Sequence, residues 1–189
     1  MISYFNKISV RRCHRISVDQ LCKKLEDSKL KETCEQIEQA VLSWDEKQAQ
    51  KMKADLPAVV WSELYAEFSP RKQGTGEPTG FFLIEYDYCE DEEQLKTLVN
   101  QVKNLKEGTM NDVIAAAHVS PRRHGVHIIC RCLPDCHSIA DCQQKFSEMA
   151  NLPNYDESCK DSSRCSFLVD MSRFFVLDNN SSLKIQDMA

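Results

Sequence analysis

The amino-acid sequence predicts an α+β fold, in which a split βαβ unit forms an antiparallel sheet with helices on one face. The second half of the chain has the order strand, helix, strand, strand, helix, strand, which is typical of such a unit. Helical spacing of apolar residues precedes it and predicts a helical N-terminal segment. No stretch approaches the roughly 20 apolar residues that a membrane span needs. We expect the sheet face opposite the helices to be open for ligands.

The N-terminal segment predicts one strand followed by three helices. Residues 1–16 form the strand, and Ser17-Val-Asp-Gln20 is typical of a capping box that begins the first helix. The second helix contains Ile37. The third covers 45–55 and ends before Pro57, because a proline disfavours helical geometry in the residue that precedes it.

The second half begins with a loop at 69–80, which contains three of the five glycines. We divide the chain into an N-terminal segment (1–55) packed on the core, a core (56–178) and a polar tail (179–189). The elements that follow the loop are a strand at 81–87, a helix at 91–106, strands at 113–119 and 126–132, a helix at 138–150 and a strand at 165–169.

Composition restricts the class of protein. The net charge of −5 argues against a protein that coats nucleic acid without specificity. With no apolar segment behind the N-terminal arginines, we expect a cytoplasmic protein. The ten cysteines include Cys130, Cys132 and Cys136, which with His137 would form a zinc site. Two of these thiols fall inside a predicted strand, so buried thiols that pack as small hydrophobes are the better interpretation.

Two carboxylates end the strand Phe81-Phe-Leu-Ile-Glu-Tyr-Asp87. Because side chains alternate across a strand, Glu85 and Asp87 lie on the same face. Like charges at that distance need a positive partner, and Mg²⁺ is held by one or two carboxylates together with substrate phosphates. The alternative is that both carboxylates lie at the solvent end of the strand and bind nothing. Burial of an unpaired glutamate is costly, which favours the metal site.

A basic turn, Ser120-Pro-Arg-Arg-His-Gly125, leads into the strand that carries His127. Alternation places His127 on the same face as Arg131. Arginines and a histidine near two carboxylates are suited to hold a triphosphate bridged to a metal. A lone histidine among apolar residues is, however, more often structural.

A third polar segment runs from Asp156 to Arg164. In it Asp161 is a candidate third carboxylate, and Lys160 and Arg164 are candidate phosphate contacts. Spacing alone favours the alternative, a polar turn that enters the last strand with Arg164 in a structural ion pair.

Together these three segments, with Leu56-Pro57 and Thr79-Gly80, resemble the N-terminal domain of virulence-associated protein E relatives from bacterial mobile elements. That family is related to the archaeo-eukaryotic primase superfamily. The resemblance covers about residues 56–178 and depends on the order and spacing of the segments. It implies a primase-like, RRM-like sheet in a bacterial cytoplasmic replication protein.

The resemblance also implies roles for individual residues. Glu85, Asp87 and Asp161 would hold Mg²⁺ or Mn²⁺, and His127 would bind the nucleotide as well as take part in catalysis. The other nucleotide contacts would be Ser120, Arg123, Arg131, Lys160 and Arg164. The expected partners are nucleoside triphosphates, a single-stranded nucleic acid template and a P-loop helicase domain or neighbour, although no GxxxxGK[ST] occurs in these residues.

Two other functions remain open. Relatives usually have aspartate where this chain has Glu85, and together with the negative net charge this favours a catalytically degenerate nucleic-acid-binding or interaction module. A rolling-circle nickase needs two histidines on one strand face. His124 and His127 are three residues apart and would point to opposite faces, which argues against that enzyme.

Overall fold

The computed structural model describes residues 1–10 and 12–178, and the predicted polar tail lies outside them. Within these residues the fold is α+β with antiparallel sheets, as predicted. No helix in this part of the chain is long and apolar enough to cross a membrane. The helices are α1 (Val18–Leu25), α2 (Ser28–Leu42), α3 (Glu46–Ala54), α4 (Glu92–Glu107) and α5 (Ile139–Ala150). The strands are β1 (Ile2–Phe5), β2 (His14–Ile16), β3 (Ala58–Val60), β4 (Glu63–Leu64), β5 (Glu77–Pro78), β6 (Phe81–Tyr86), β7 (Ile114–Val119), β8 (Val126–Arg131), β9 (Cys165–Phe167) and β10 (Phe174–Leu177).

The first sheet joins the N-terminal segment to the core, with the strand order β2-β1-β3-β9. The single strand expected over residues 1–16 is two short strands, because the chain reverses and Ile2 pairs with Ile16. The capping box of α1 is confirmed, since the Ser17 hydroxyl accepts from the Gln20 amide and the Gln20 side chain accepts from the Ser17 amide.

The second sheet has the order β10-β7-β8-β6. β8 lies between β6 and β7, as a split βαβ unit requires. The predicted fourth strand differs: Cys165–Phe167 forms β9 but pairs with β3 of the first sheet, and β10 lies beside β7. Alternation of apolar residues indicates that a segment is a strand and leaves its partner undefined, so this exchange could not be predicted.

The two faces of the second sheet are both covered. Phe82 and Ile84 of β6 pack with α4 and α5 in one core cluster. Leu83 and Ile129, on the opposite face, belong to a second cluster with residues of the first sheet and of α1–α3. The expectation of an open face is therefore wrong. On this face Glu85 and His127 lie at one end of the sheet, and Arg131 lies at the other end.

The loop at 69–80 is anchored by a buried carboxylate. Glu63, only 4% exposed, accepts from the amide of Gly74 at 2.8 Å and from that of Gly76 at 3.2 Å. The Ser162 hydroxyl also donates to it. Burial alone would raise the pKa of Glu63, but these hydrogen bonds outweigh it and hold the pKa below its usual value.

The turn between β7 and β8 lies directly against the end of β6. A Cβ atom at Gly125 would meet the Tyr86 carbonyl oxygen at 1.6 Å, so only glycine fits there. The His124 carbonyl also accepts from the Cys89 amide at 2.7 Å. This contact fixes the turn beside Glu85 and Asp87.

We expect Gly125→Ala to lower the free energy of unfolding by about 2 kcal/mol or more, because the added methyl group has no room and the backbone must move. Urea denaturation monitored by circular dichroism measures the change. Gly74→Ala is the control: nothing lies within 4 Å of its Cβ, and only its positive φ of 72° opposes the substitution. A loss for Gly125→Ala no larger than that of the control would contradict the contact.

The turn between α2 and α3 contains a tryptophan in left-handed geometry. The Trp44 amide donates to the Val41 carbonyl and the Asp45 amide to the Ala40 carbonyl, which together form a Schellman motif. Trp44 has φ 60° in the position where glycine is usual. Its side chain is 92% exposed, so packing does not offset the strain.

We expect Trp44→Gly to raise the free energy of unfolding by about 1 kcal/mol, since glycine adopts this geometry without the Cβ clash. Thermal and urea denaturation give the value. Ser43→Gly, in the same turn with φ −88°, is the control and should be destabilised instead. Equal loss of stability in both variants would show that Trp44 is not strained.

Candidate functional site

The centre of the site is a row of side chains that crosses the second sheet. Glu85 of β6 is paired with His127 of β8, and His127 with His118 of β7. Phe174 of β10 continues the row beside His118, with ring centroids 4.8 Å apart. Glu85 is 4% exposed and both histidines are 2% exposed, so the row places one carboxylate and two imidazoles in the interior.

Asp87 comes directly after β6, two residues beyond Glu85, and faces solvent. Glu85, Asp87 and His127 each offer a ligand atom, and these atoms all lie within 4.8 Å of one another. His127 and Glu85 are buried, whereas Asp87 is exposed. Two carboxylates and an imidazole are suitable ligands for a divalent ion such as Mn²⁺. The sequence prediction that Glu85, Asp87 and His127 lie together agrees with this geometry.

His127 has unmet hydrogen-bonding capacity. Neither ring nitrogen has a hydrogen-bond partner among residues 1–10 and 12–178, and Nε2 lies 3.8 Å from the Glu85 Oε2 atom, beyond hydrogen-bond length. Buried polar groups nearly always have a partner, and each exception needs an explanation. A ligand that contacts His127 and Glu85 together would satisfy this nitrogen, so the residues present fit a bound metal ion.

His118 is a neutral imidazole. Burial, and then the neighbouring His127, lower the pKa of His118 to about 3. Its Nδ1 atom lies 3.0 Å from the Val119 carbonyl, which can only accept, so Nδ1 carries the proton and Nε2 has the free lone pair. The His118 ring packs against the His127 ring with centroids 5.0 Å apart.

Arg164 neutralises Glu85 from the first sheet. Its Nε atom lies 3.3 Å from Oε1 and its Nη2 atom 3.1 Å from Oε2 of Glu85. Burial would raise the pKa of Glu85, but His127, Arg164 and the Cys159 thiol together hold it below its usual value. Glu85 is therefore ionised at neutral pH.

The segment before Arg164 adds a second group of ligand atoms. Glu85, Asp156 and Cys159 form that group, and the Asp156 amide donates to the Glu85 carbonyl at 2.8 Å. Buried Gln143 of α5 fixes the segment, since its side-chain amide donates to the carbonyls of Leu83 and Cys159. Burial, Glu85 and Asp156 raise the pKa of the Cys159 thiol, so it stays protonated.

Lys53 lies within electrostatic range of the carboxylates. Burial, and then Arg122, lower the pKa of Lys53, whereas Asp87 and Glu85 act in the opposite direction. Lys53 comes from α3 and its Nζ atom lies 5.1 Å from the centre of the Phe167 ring. Lys53 therefore interacts electrostatically with Arg122, with Arg164 and with both carboxylates, and these cations come from three segments.

Other predicted residues lie elsewhere or contact other groups. Arg123 contacts Glu92 at 2.7 Å and Glu38 at 3.4 Å. Arg131 pairs with Asp178 at 3.4 Å. It lies four residues from His127 along β8, which corresponds to about 13 Å at the rise of a β-strand. Asp161 accepts from the amide and hydroxyl of Ser163.

Three further predictions concern Ser120, Lys160 and the cysteines. Ser120 is buried and its hydroxyl has no hydrogen-bond partner within the residues that the structure describes, whereas Lys160 is exposed. Asp161 is in neither group of ligand atoms, and Asp156 takes the place beside Glu85. Among the described residues, the groups of three close ligand atoms contain none of Cys130, Cys132 and Cys136, and Cys130 packs in the core.

Sequence reasoning missed His118, Asp156, Lys53 and Arg122. The first had a signal: in the predicted hairpin, pairing Val119 with Val126 across the turn places His118 opposite His127. No sequence signal distinguished Lys53, because a lysine near the end of an exposed helix resembles any solvated lysine. Its position follows from the packing of α3, which the sequence does not reveal.

We expect Arg164→Gln to lower the free energy of unfolding by about 2 kcal/mol, since Glu85 keeps a buried charge without its partner. Because Arg164 is half-exposed, this loss of free energy is smaller than the loss expected for a fully buried ion pair. In Glu85→Gln/Arg164→Gln much of the loss should return, giving a coupling of about 1 kcal/mol in a double-mutant cycle. The exposed pair Lys31–Glu35, 3.9 Å apart, is the control and should show no measurable coupling. Additive losses at Glu85 and Arg164 would show that the pair does not hold the site.

Comparisons of this chain with protein-family models, with curated proteins and with solved structures find no match. The resemblance to virulence-associated protein E relatives and to the primase superfamily therefore stays a prediction from sequence motifs. The geometry around Glu85, Asp87 and His127 is therefore the basis for inferring a function.

Proposed function

We propose that this chain is a primase-like nucleotidyltransferase domain that binds a nucleoside triphosphate through Mg²⁺ or Mn²⁺. In the bacterial cytoplasm, as part of a mobile-element replication protein, it would extend a primer on a single-stranded template. A P-loop helicase domain or neighbour would accompany it. The RRM-like identity of the second sheet is part of the same proposal.

One observation carries the proposal. His127 is buried, neither of its ring nitrogens has a partner in the described part of the chain, and its ligand atom lies within 4.8 Å of those of Glu85 and Asp87. A structural histidine would be expected to have a hydrogen-bond partner at 2% exposure. A site built to receive a ligand explains both the missing partner and the nearby pair of carboxylates.

The residues divide into two roles. Glu85, Asp87 and His127 would hold the metal ion, which supplies charge neutralisation for the phosphates and activation of the attacking hydroxyl. Lys53, Arg122 and Arg164 would contact the phosphate oxygens. Burial, and then repulsion from Arg122, lower the pKa of Lys53, and an anion beside it would stabilise its charged form. Arg164 would exchange one of its contacts with Glu85 for a phosphate.

A second candidate function is a degenerate domain that binds nucleic acid or a protein partner without catalysis. The ion pair between Arg164 and Glu85 favours this second function. Arg164 contacts both oxygens of Glu85 and so competes with a metal ion for the same carboxylate. The departure from the usual aspartate at Glu85 favours it as well. Mn²⁺-dependent nucleotide binding separates the two candidates.

We expect calorimetric titration to show nucleoside triphosphate binding to the wild type in the presence of Mn²⁺ and none with chelator. Asp87→Asn and His127→Asn should each weaken binding at least ~10-fold, because even the outer partners of metal ligands contribute about 10- to 100-fold to affinity. Asp87 is exposed, so its variant tests the site without altering the core.

Glu90→Gln is the matched control, since this exposed carboxylate lies three residues beyond Asp87 and belongs to no ligand group of the described residues. It should bind like the wild type. Incorporation of labelled nucleotide on a single-stranded template then tests catalysis. If the wild type shows no Mn²⁺-dependent binding, the nucleotidyltransferase proposal fails and the degenerate domain remains.

A further inference from the structure

The turn between α2 and α3 presents an aromatic side chain that the fold does not use. Trp44 is 92% exposed and has left-handed backbone geometry, with φ 60°. Strained backbone positions persist where function requires them, and here neither packing nor turn geometry favours tryptophan. Leu42, two residues earlier, is 65% exposed and extends the apolar surface.

The turn lies on the side of the candidate site. Glu46, two residues after Trp44, contacts Arg122 at 3.3 Å and His124 at 3.9 Å. Arg122 in turn is near enough to lower the pKa of Lys53, on which Glu85 and Asp87 also act. Basic side chains therefore connect the surroundings of Trp44 with the carboxylates.

Two further lysines lie along α3. Lys47 and Lys51 are both exposed, and their spacing places them one turn apart on the helix face opposite buried Ala49. The acidic residues next to Trp44 have other partners: Asp45 caps α3 through the Gln48 amide, and Glu46 contacts Arg122. This arrangement of one exposed aromatic ring beside lysines suits a strand whose bases stack and whose phosphates face the cations.

We propose that Trp44 is a stacking position for a base of single-stranded nucleic acid, with Lys47 and Lys51 contacting the flanking phosphates. The inference rests on the proposed function only for the direction of the bound nucleic acid, which would run towards Lys53 and Glu85. A second copy of this chain is the alternative occupant of the Trp44 surface. Contact through the same surface of a second copy would bring Lys47 and Lys51 close to their own equivalents, which favours a polyanion as the occupant.

Tryptophan fluorescence tests the proposal directly, because the chain has two tryptophans and the other, Trp61, is 5% exposed. Titration with a dodecamer of deoxythymidylate at low salt should quench the emission of exposed Trp44. Trp44→Gly should weaken binding about 5- to 100-fold, measured by anisotropy of a labelled oligonucleotide, since stacking on one aromatic ring contributes that much. Trp44→Phe should retain most of the affinity. Because Trp44→Gly is expected to be the more stable protein, unfolding cannot explain its loss.

Phe68→Gly is the matched control. Phe68 is also an exposed aromatic residue, 63% accessible with φ 61°, but it packs beside His14 of edge strand β2, away from β9 and Arg164. Its variant should bind the oligonucleotide like the wild type. Lys47→Gln and Lys51→Gln should each reduce the salt dependence of binding by about one unit of slope.

Three results would overturn the proposal. They are unchanged oligonucleotide affinity in Trp44→Gly, an equal loss in Phe68→Gly, and sedimentation velocity showing a dimer that Trp44→Gly abolishes without nucleic acid. Binding of the Mn²⁺–nucleotide complex should be the same in Trp44→Gly as in wild type. Failure of the stacking site would thus leave nucleotide binding intact, whereas failure of the proposed function would remove nucleotide binding from every variant.

Discussion

The burial of one ionised carboxylate determines how the two halves of this fold meet. Glu85 lies on β6 of the second sheet at 4% exposure, and Arg164, which contacts both its oxygens, directly precedes β9 of the first sheet. An uncompensated charge at that depth would cost several kcal/mol. The two sheets must therefore come together in the register that brings Arg164 to Glu85, and the same register closes the apolar cluster around Leu83 and Ile129.

A second set of contacts holds the turn between β7 and β8 in place beside that carboxylate. Gly125 lies against the Tyr86 carbonyl, and buried Arg173 donates to the Pro121 carbonyl at 3.3 Å. Arg173 also donates to the Cys34 carbonyl of α2 at 2.8 Å and contacts Glu38 at 2.9 Å. The turn is thereby fixed to both the sheet and the N-terminal helices, and its Arg122 contacts Glu46 of α3 at 3.3 Å.

Local patterns predicted much of this structure, and long-range packing accounts for the rest. The capping box at Ser17, the period-3.6 spacing of α4 and the alternation in β6 each depend on neighbours in sequence, so they were found. The pairing of β9 with β3, the covered sheet face and the approach of Lys53 depend on contacts between distant segments. Glu85, Asp87 and His127 were predictable because strand alternation and the hairpin place them together, whereas Asp156 and Asp161 occupy one irregular loop where no period distinguishes them.

The N-terminal segment contributes more to the fold than its sequence suggests. The sequence suggests a prefix packed on a complete core, because the carboxylates, the histidines and Arg164 all come from residues after 56. The structure gives the prefix a strand in the first sheet, through the pairing of β1 with β3, and brings Lys53 into the field of Glu85 and Asp87. Arg122 reaches its position through Glu46 of α3. Since Lys53 interacts with both carboxylates and Glu46 contacts Arg122, the first 55 residues contribute to the electrostatics of the candidate site. Without these residues the protein would lose β1 from the first sheet, the helices that cover Leu83 and Ile129, and the cation from α3.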